Sequence, residues 1–167
     1  MSARDPSQSA LRRDYLSFLA EHEDGVWRSC TPAHLTASAV LLDPTRSAVL
    51  LVLHRKVKRW LQPGGHCEPG DPTIAAAALR EATEESGILG LRLLPGPCHL
   101  DRHPAPCNPG VVEHHLDVRY AMVSPPGASP SVSEESIDVQ WFPWDDLPGG
   151  SDSELAAMVT AGRARLD

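Results

Sequence analysis

Apolar residues recur along this chain in two rhythms. In residues 9–23, Leu11, Tyr15, Phe18 and Leu19 return at the spacing of one helical face and predict an amphipathic helix that packs on the main body. Residues 25–32 read as a connection. Residues 34–43 (HLTASAVLLD) and 47–54 (SAVLLVLH) are β-rich runs parted by a turn at Pro44. The nearly unbroken apolar run over 48–53 predicts a strand covered on both faces. Farther on, residues 91–103 predict a strand interrupted by Pro95 and Pro97, and residues 104–110 (PAPCNPG) a loop. A long strand over 113–124, a Pro/Gly break over 125–130, a last strand over 137–144 and a closing helix over 152–166 complete the pattern. Helix, strands, helix, strands, helix is the order of an α/β fold, a mixed sheet with helices on both faces.

The most informative stretch is residues 64–88, GGHCEPGDPTIAAAALREATEESGI. Asp71 suits a helix N-cap, Pro72 the first helical position, and Gly87 the end of the helix. Ala75, Ala78, Leu79 and Ala82 make a small apolar face that lets the helix sit close to a sheet. With about 100° of rotation per residue, Glu81, Glu84 and Glu85 share a sector of roughly 100°. Three carboxylates so placed repel one another unless they are well solvated or surround a hard cation such as Mg²⁺ or Mn²⁺. A Glu-rich helix is most often only a solvated face. Two neighbours favour the cation: Gly64 and Gly65 let a backbone turn approach the helix, and Arg80 is placed to hold a carboxylate by a bidentate bond.

This stretch resembles the Nudix box of the Nudix hydrolases. The pattern is Gly, five residues, Glu, seven residues, then Arg-Glu-aliphatic-any-Glu-Glu-any-Gly-aliphatic. Here Gly65 is followed after five residues by Asp71, and the second half runs from Arg80 through Glu81, Ala82, Glu84, Glu85 and Gly87 to Ile88. Asp71 replaces Glu, and eight residues rather than seven separate it from Arg80, which leaves either Glu68 or Asp71 to fill the upstream acid position. The strand pair before the box, and Trp141, Phe142 and Pro143 followed by Asp145, Asp146 and Leu147, are further likenesses. They extend the resemblance over most of residues 34–148.

The resemblance implies a Nudix-like α/β/α sandwich over residues 34–167, with residues 1–33 as a helical extension packed on it. It implies cation-dependent hydrolysis of a phosphoanhydride in a nucleoside diphosphate linked to another moiety. One or more Mg²⁺ (or Mn²⁺) would be held by Glu81, Glu84, Glu85 and the Gly65 carbonyl. Arg80 would orient the acids. The general base would be a box glutamate, Glu81 foremost, or Glu135 in the acidic loop before the last strand. A non-catalytic module that binds a nucleotide or a partner is the competing reading, and isomerase chemistry on the same fold ranks last.

Outside the box, His54, Arg55, Lys56, Lys58 and Arg59 form a basic run ahead of the glycines. Such a run is most often a solvated rim; Arg55, Lys56 and Lys58 are also candidates for drawing in substrate phosphates. His66 after the glycines, and His115, which shares a strand face with Asp117, are candidates for substrate contact. His99, His103, His114 and His115, together with Cys98 and Cys107, match no short zinc module.

Composition narrows the partners. The 167 residues, 41% hydrophobic, suffice for one core and not for two. A net charge of −7 argues against wrapping a nucleic-acid duplex and leaves a small phosphorylated substrate. No apolar run approaches a membrane span, and the first ten residues lack a signal peptide's hydrophobic centre, so cytoplasmic residence is expected. The four cysteines contain no CxxC pair and are expected to be free thiols.

Overall fold

A computed structural model describes residues 5–105 and 112–166 of the chain. In order, it has α1 (Pro6–Glu21), β1 (Ala33–Leu42), β2 (Ala48–His54), β3 (Trp60–Leu61), β4 (Gly64–His66), α2 (Ile74–Ser86), β5 (Arg92–Pro104), β6 (His114–Val123), β7 (Ser136–Pro143) and α3 (Ser153–Arg163). The strands form one mixed sheet in the order β3-β2-β1-β6-β5, with β4 paired to β1 and β7 to β2. β1 is its axis. One edge of β1 runs parallel to β6 along its whole length; the other is shared, Thr36–Ser38 pairing with β4 and Leu41–Leu42 with β2.

Strand alternation separates two cores. Ala37, Ala39 and Leu41 pack with Ala77, Ala78 and Ala82 of α2, whereas Val40 and Leu42 pack with Leu155, Met158 and Val159 of α3. The two helices therefore cover opposite faces, as expected for the sandwich. Tyr15 of α1 joins Ala33, Leu35, Leu116 and Val118 on the face that α2 covers, and its hydroxyl donates to the Asp101 carbonyl at 2.6 Å. The helix expected over 9–23 begins earlier because Asp5 caps it, accepting from the N–H groups of Ser7 and Gln8. Val49, Leu50, Leu51 and Val52 of β2 are all buried, as a strand covered on both faces requires.

Three local expectations need correction. Thr73, not Asp71, caps α2, its hydroxyl accepting from the Ala76 N–H at 3.1 Å, so Pro72 lies outside the helix. Ala77, rather than Ala75, carries the buried face. The prolines do not divide β5: it is an edge strand, where a missing N–H is tolerated, and its register merely shifts around Pro97. The end of the expected 104–110 loop, with Cys107, lies outside the described residues. Among those residues, Cys30, Cys67 and Cys98 are free thiols, and no helix is long and apolar enough to cross a membrane.

Candidate active site

The last two turns of α2 carry the acids, and β4 runs against them. The Gly64 N–H donates to Glu85 Oε2 at 2.9 Å. A side chain at Gly65 would place its Cβ 2.6 Å from Glu81 Oε1, so glycine here leaves the Glu81 carboxylate its position beside the strand. Gly87, at φ 68° with its N–H on the Thr83 carbonyl, ends the helix directly behind the acids.

The three glutamates do not share one environment. Glu84 is exposed, Glu81 is half-buried, and Glu85 is only 5% exposed. Burial pushes the Glu85 carboxyl up to about 7, with further upward pressure from Glu81 and Glu135 against the Gly64 hydrogen bond. Burial also raises Glu81, although Arg80 opposes it. A buried and a half-buried carboxylate in mutual repulsion, with backbone held close by two glycines, form an oxygen-rich cradle that fits a hard divalent cation. Among the residues gathered here, Gly65, Glu81, Glu84 and Glu85 could hold such an ion.

Arg80 braces this cradle. Its guanidinium bonds Asp71 through both oxygens at 3.2 and 3.0 Å, Glu81 at 3.0 Å, Glu84 at 3.1 Å and the His66 carbonyl at 2.9 Å. The Arg80 hydrogen bonds hold the Asp71 carboxyl below its ordinary range. Of the two candidates for the upstream acid position, Asp71 is the one paired with Arg80, while Glu68 offers Asp71 only a backbone N–H at 2.8 Å.

Glu135 is exposed on the loop before β7, and its charge acts on both Glu81 and Glu85. Arg55 anchors that loop: its N–H donates to the Glu135 carbonyl at 2.9 Å, and its guanidinium to the carbonyls of Glu134 at 3.0 Å and Ser136 at 2.7 Å. Arg55 is therefore engaged with backbone, while Lys56 and Lys58 stand exposed in the turn after β2. Arg59 pairs with Asp152.

His66 and His115 are brought together, but with a residue that sequence reasoning had treated only as strand: His34. Ring centroids lie 5.0 Å apart for His34–His66 and His34–His115, and 5.2 Å for His66–His115. Burial lowers both His66 and His115 to about 4, helped by cationic neighbours that include Arg28 for the first and His103 for the second. Beyond them, Asp117 accepts from Thr36 at 3.1 Å, Ser38 at 2.7 Å and Arg119 at 2.8 Å, and Arg119 continues to Asp101 at 2.6 Å. The alternation of His34, Thr36 and Ser38 with the alanines of β1 was the signal available for this buried polar face.

With this geometry established, comparison with known proteins is decisive. The family model for the NUDIX domain matches residues 32–161. The chain belongs to the NUDIX family. It is a Nudix-type pyrophosphohydrolase, the enzyme class anticipated from the box. Among solved structures, a NUDIX family hydrolase from Clostridium perfringens is similar at 25% identity and a TM-score of 0.65, over 80% of this chain and 98% of that one. A C. elegans Ap4A hydrolase in a binary complex shares the fold at 19% identity and a TM-score of 0.64, over 79% and 96%. So does the NUDIX domain of Shewanella oneidensis NrtR complexed with ADP ribose, at 19% and 0.62, over 91% and 98%.

Proposed function

We propose that this Nudix enzyme hydrolyses a phosphoanhydride bond in a nucleoside diphosphate linked to another moiety, with a divalent cation, Mg²⁺ or Mn²⁺, at Gly65, Glu81, Glu84 and Glu85. The observation that carries the reading is the approach of β4 to α2, in which Gly64 holds Glu85 and Gly65 leaves room for the Glu81 carboxylate. When bound, the cation supplies charge neutralisation for the phosphate oxygens and acidifies a water. The protein's own task is positioning. Glu85 is fixed by a backbone N–H, Glu81 by Arg80, and Arg80 by Asp71 and the His66 carbonyl. Glu135 is favoured over Glu81 as the base that takes the proton from the attacking water. Glu81 is already committed to Arg80, whereas Glu135 is exposed on an anchored loop and within electrostatic reach of the same acids.

Lys56 and Lys58 supply the basic rim that draws in the anionic substrate, with Arg55 holding the loop beside it. Structures of similar fold, among them an Ap4A hydrolase, a UDP-X diphosphatase and an ADP-ribose complex, agree with a nucleotide-derived substrate class. The free thiols among the described residues, Cys30, Cys67 and Cys98, agree with residence in the reducing cytoplasm. Residues 1–33 are read as an extension carried by the domain. The test is a panel of dinucleoside polyphosphates, nucleoside diphosphate sugars and ADP-ribose, incubated with Mg²⁺ or Mn²⁺ and followed by product identification. Turnover of at least one compound, lost in Glu85→Gln while ligand binding persists, is the expected result. Binding without turnover by the unaltered protein across the panel would return the chain to the non-catalytic alternative.

A further inference from the structure

The histidines on the other face of the sheet form a second constellation, which the carboxylate site does not use. His34 and His115 are neighbours in the parallel β1–β6 register, and His66 lies across from Thr36 in the β1–β4 pair. Gly65 shares a register position with Ala37, whose face α2 covers, so by strand alternation His66 points to the opposite face. One ring nitrogen from each of His34, His66 and His115 falls within 4.8 Å of the other two.

Two of these three rings each carry a buried nitrogen with no hydrogen-bond partner. His34 is 2% exposed, and its Nδ1 lies 3.2 Å from the Cys30 carbonyl. A carbonyl only accepts, so Nδ1 is the donor there, and in a neutral ring Nε2 is the acceptor. That Nε2 is buried without a hydrogen bond, and so is Nε2 of His66. An unsatisfied buried polar atom is destabilising, and two at one place call for an explanation. A histidine whose one nitrogen is held by a backbone carbonyl while the other is left free is oriented as metal-ligating histidines are.

We propose that His34, His66 and His115 bind a transition-metal cation, Zn²⁺ or a first-row neighbour, at a site separate from the carboxylate cradle. Imidazole nitrogens suit such ions, whereas Mg²⁺ prefers oxygen, so the two faces sort two kinds of metal. With bonds of about 2.0–2.1 Å, tetrahedral ligand atoms stand roughly 3.4 Å apart. The three nitrogens, within 4.8 Å of one another, must therefore draw in by about an ångström when the ion binds. His103 borders the cluster on one side: its ring lies 5.4 Å from that of His115, and its Nδ1 is held by Asp101 at 2.9 Å. A metal here would stiffen His66, whose carbonyl accepts from Arg80 and whose neighbour is Gly65. The site stands on its own geometry and does not depend on the hydrolase reading.

The test uses the full chain without a polyhistidine tag, stripped of metal and titrated with Co²⁺ in excess Mg²⁺. The expected result is one Co²⁺ per chain with the intense visible absorption of a four- or five-coordinate ion, displaced by Zn²⁺. His66→Asn and, separately, His115→Gln should each weaken binding at least 10-fold, with folding checked by circular dichroism. The Glu81→Gln/Glu85→Gln double variant should retain the band. An unaltered protein showing only the weak absorption of aqueous Co²⁺ would overturn the proposal whatever the variants do. So would a band that survives both histidine substitutions, or one that disappears with the glutamates.

Discussion

Arg80 grips Asp71 through two parallel hydrogen bonds, Nε to Oδ1 at 3.2 Å and Nη2 to Oδ2 at 3.0 Å, across the loop that separates β4 from α2. This pair ties the start of the box to its acids. Charge-assisted bonds of this kind are worth about 1.5–3 kcal/mol each when well buried, and this one is only partly so. Asp71→Asn should therefore cost about 1 kcal/mol in urea unfolding and lower kcat roughly 10-fold, with KM nearly constant, because the Arg80 bonds to Glu81 and Glu84 lose their anchor. Arg80→Lys should not rescue, since an ammonium cannot make the fork. If Asp71→Asn raised KM and left kcat intact, Asp71 would be contacting substrate instead.

Gly65→Ala gives a cleaner separation of stability from function. The new Cβ would meet the Glu81 carboxylate at 2.6 Å, and that carboxylate is the far end of a flexible side chain. It can swing away, so the thermal midpoint should shift by only a few degrees. In doing so it leaves the cradle, and kcat/KM should fall about 100-fold or more. Glu81→Ala in the Gly65→Ala background should then add little further loss, a non-additivity readable from a double-mutant cycle.

The second half of the box was legible because it is local. Arg80, the three glutamates and Gly87 lie on consecutive turns of one helix, where spacing dictates facing. The cap was misplaced because Asp71 and Thr73 are both good caps, and a long-range partner, Arg80, claims the first. Helical spacing also could not tell exposed Glu84 from buried Glu85; that difference comes from β4, a three-residue strand too short to announce itself. The histidine cluster draws on β1, β4 and β6, so no spacing rule reaches it. The basic run was legible as charge, but Arg55 turned out to hold the Glu135 loop because β2 pairs with β7.

That anchoring makes Arg55 testable as a positioning residue. Three backbone contacts to residues 134–136 would be reduced to one, the Arg55 N–H on Glu135, in Arg55→Ala. Amide hydrogen exchange around residues 133–137 should then rise severalfold, while the core strands keep their protection. If Glu135 is the base, kcat should fall with the loop's loss of order, by about 10-fold. The same substitution in a Glu135→Gln background should change kcat little. A loss of equal size in both backgrounds would point to a direct role for the guanidinium in substrate binding.

The buried carboxyl of Glu85 predicts how metal-free stability depends on pH. Its folded value is raised from 4.5 to about 7, with burial the leading cause. A raised folded value means that the contribution is fully present below about pH 4.5 and is lost as pH rises through about 7. The shift corresponds to about 3 kcal/mol as an order of magnitude. Glu85→Gln mimics the protonated form at every pH, so in EDTA it should match the unaltered protein near pH 4.5 and be more stable by a few kcal/mol at pH 8. His66 and His115, lowered from 6.5 to about 4, contribute in the opposite sense, losing stability as pH falls from 6.5 towards 4. Because both proteins carry these histidines, their effect cancels in the difference. Urea unfolding at pH 5, 6, 7 and 8 measures that difference, and saturating Mg²⁺ at pH 8 should shrink it by stabilising the ionised carboxylate. A difference flat with pH would mean that Glu85 is ionised throughout. Its hydrogen bond from Gly64 would then suffice to stabilise the charge, and the cradle would have no need of a cation to relieve it.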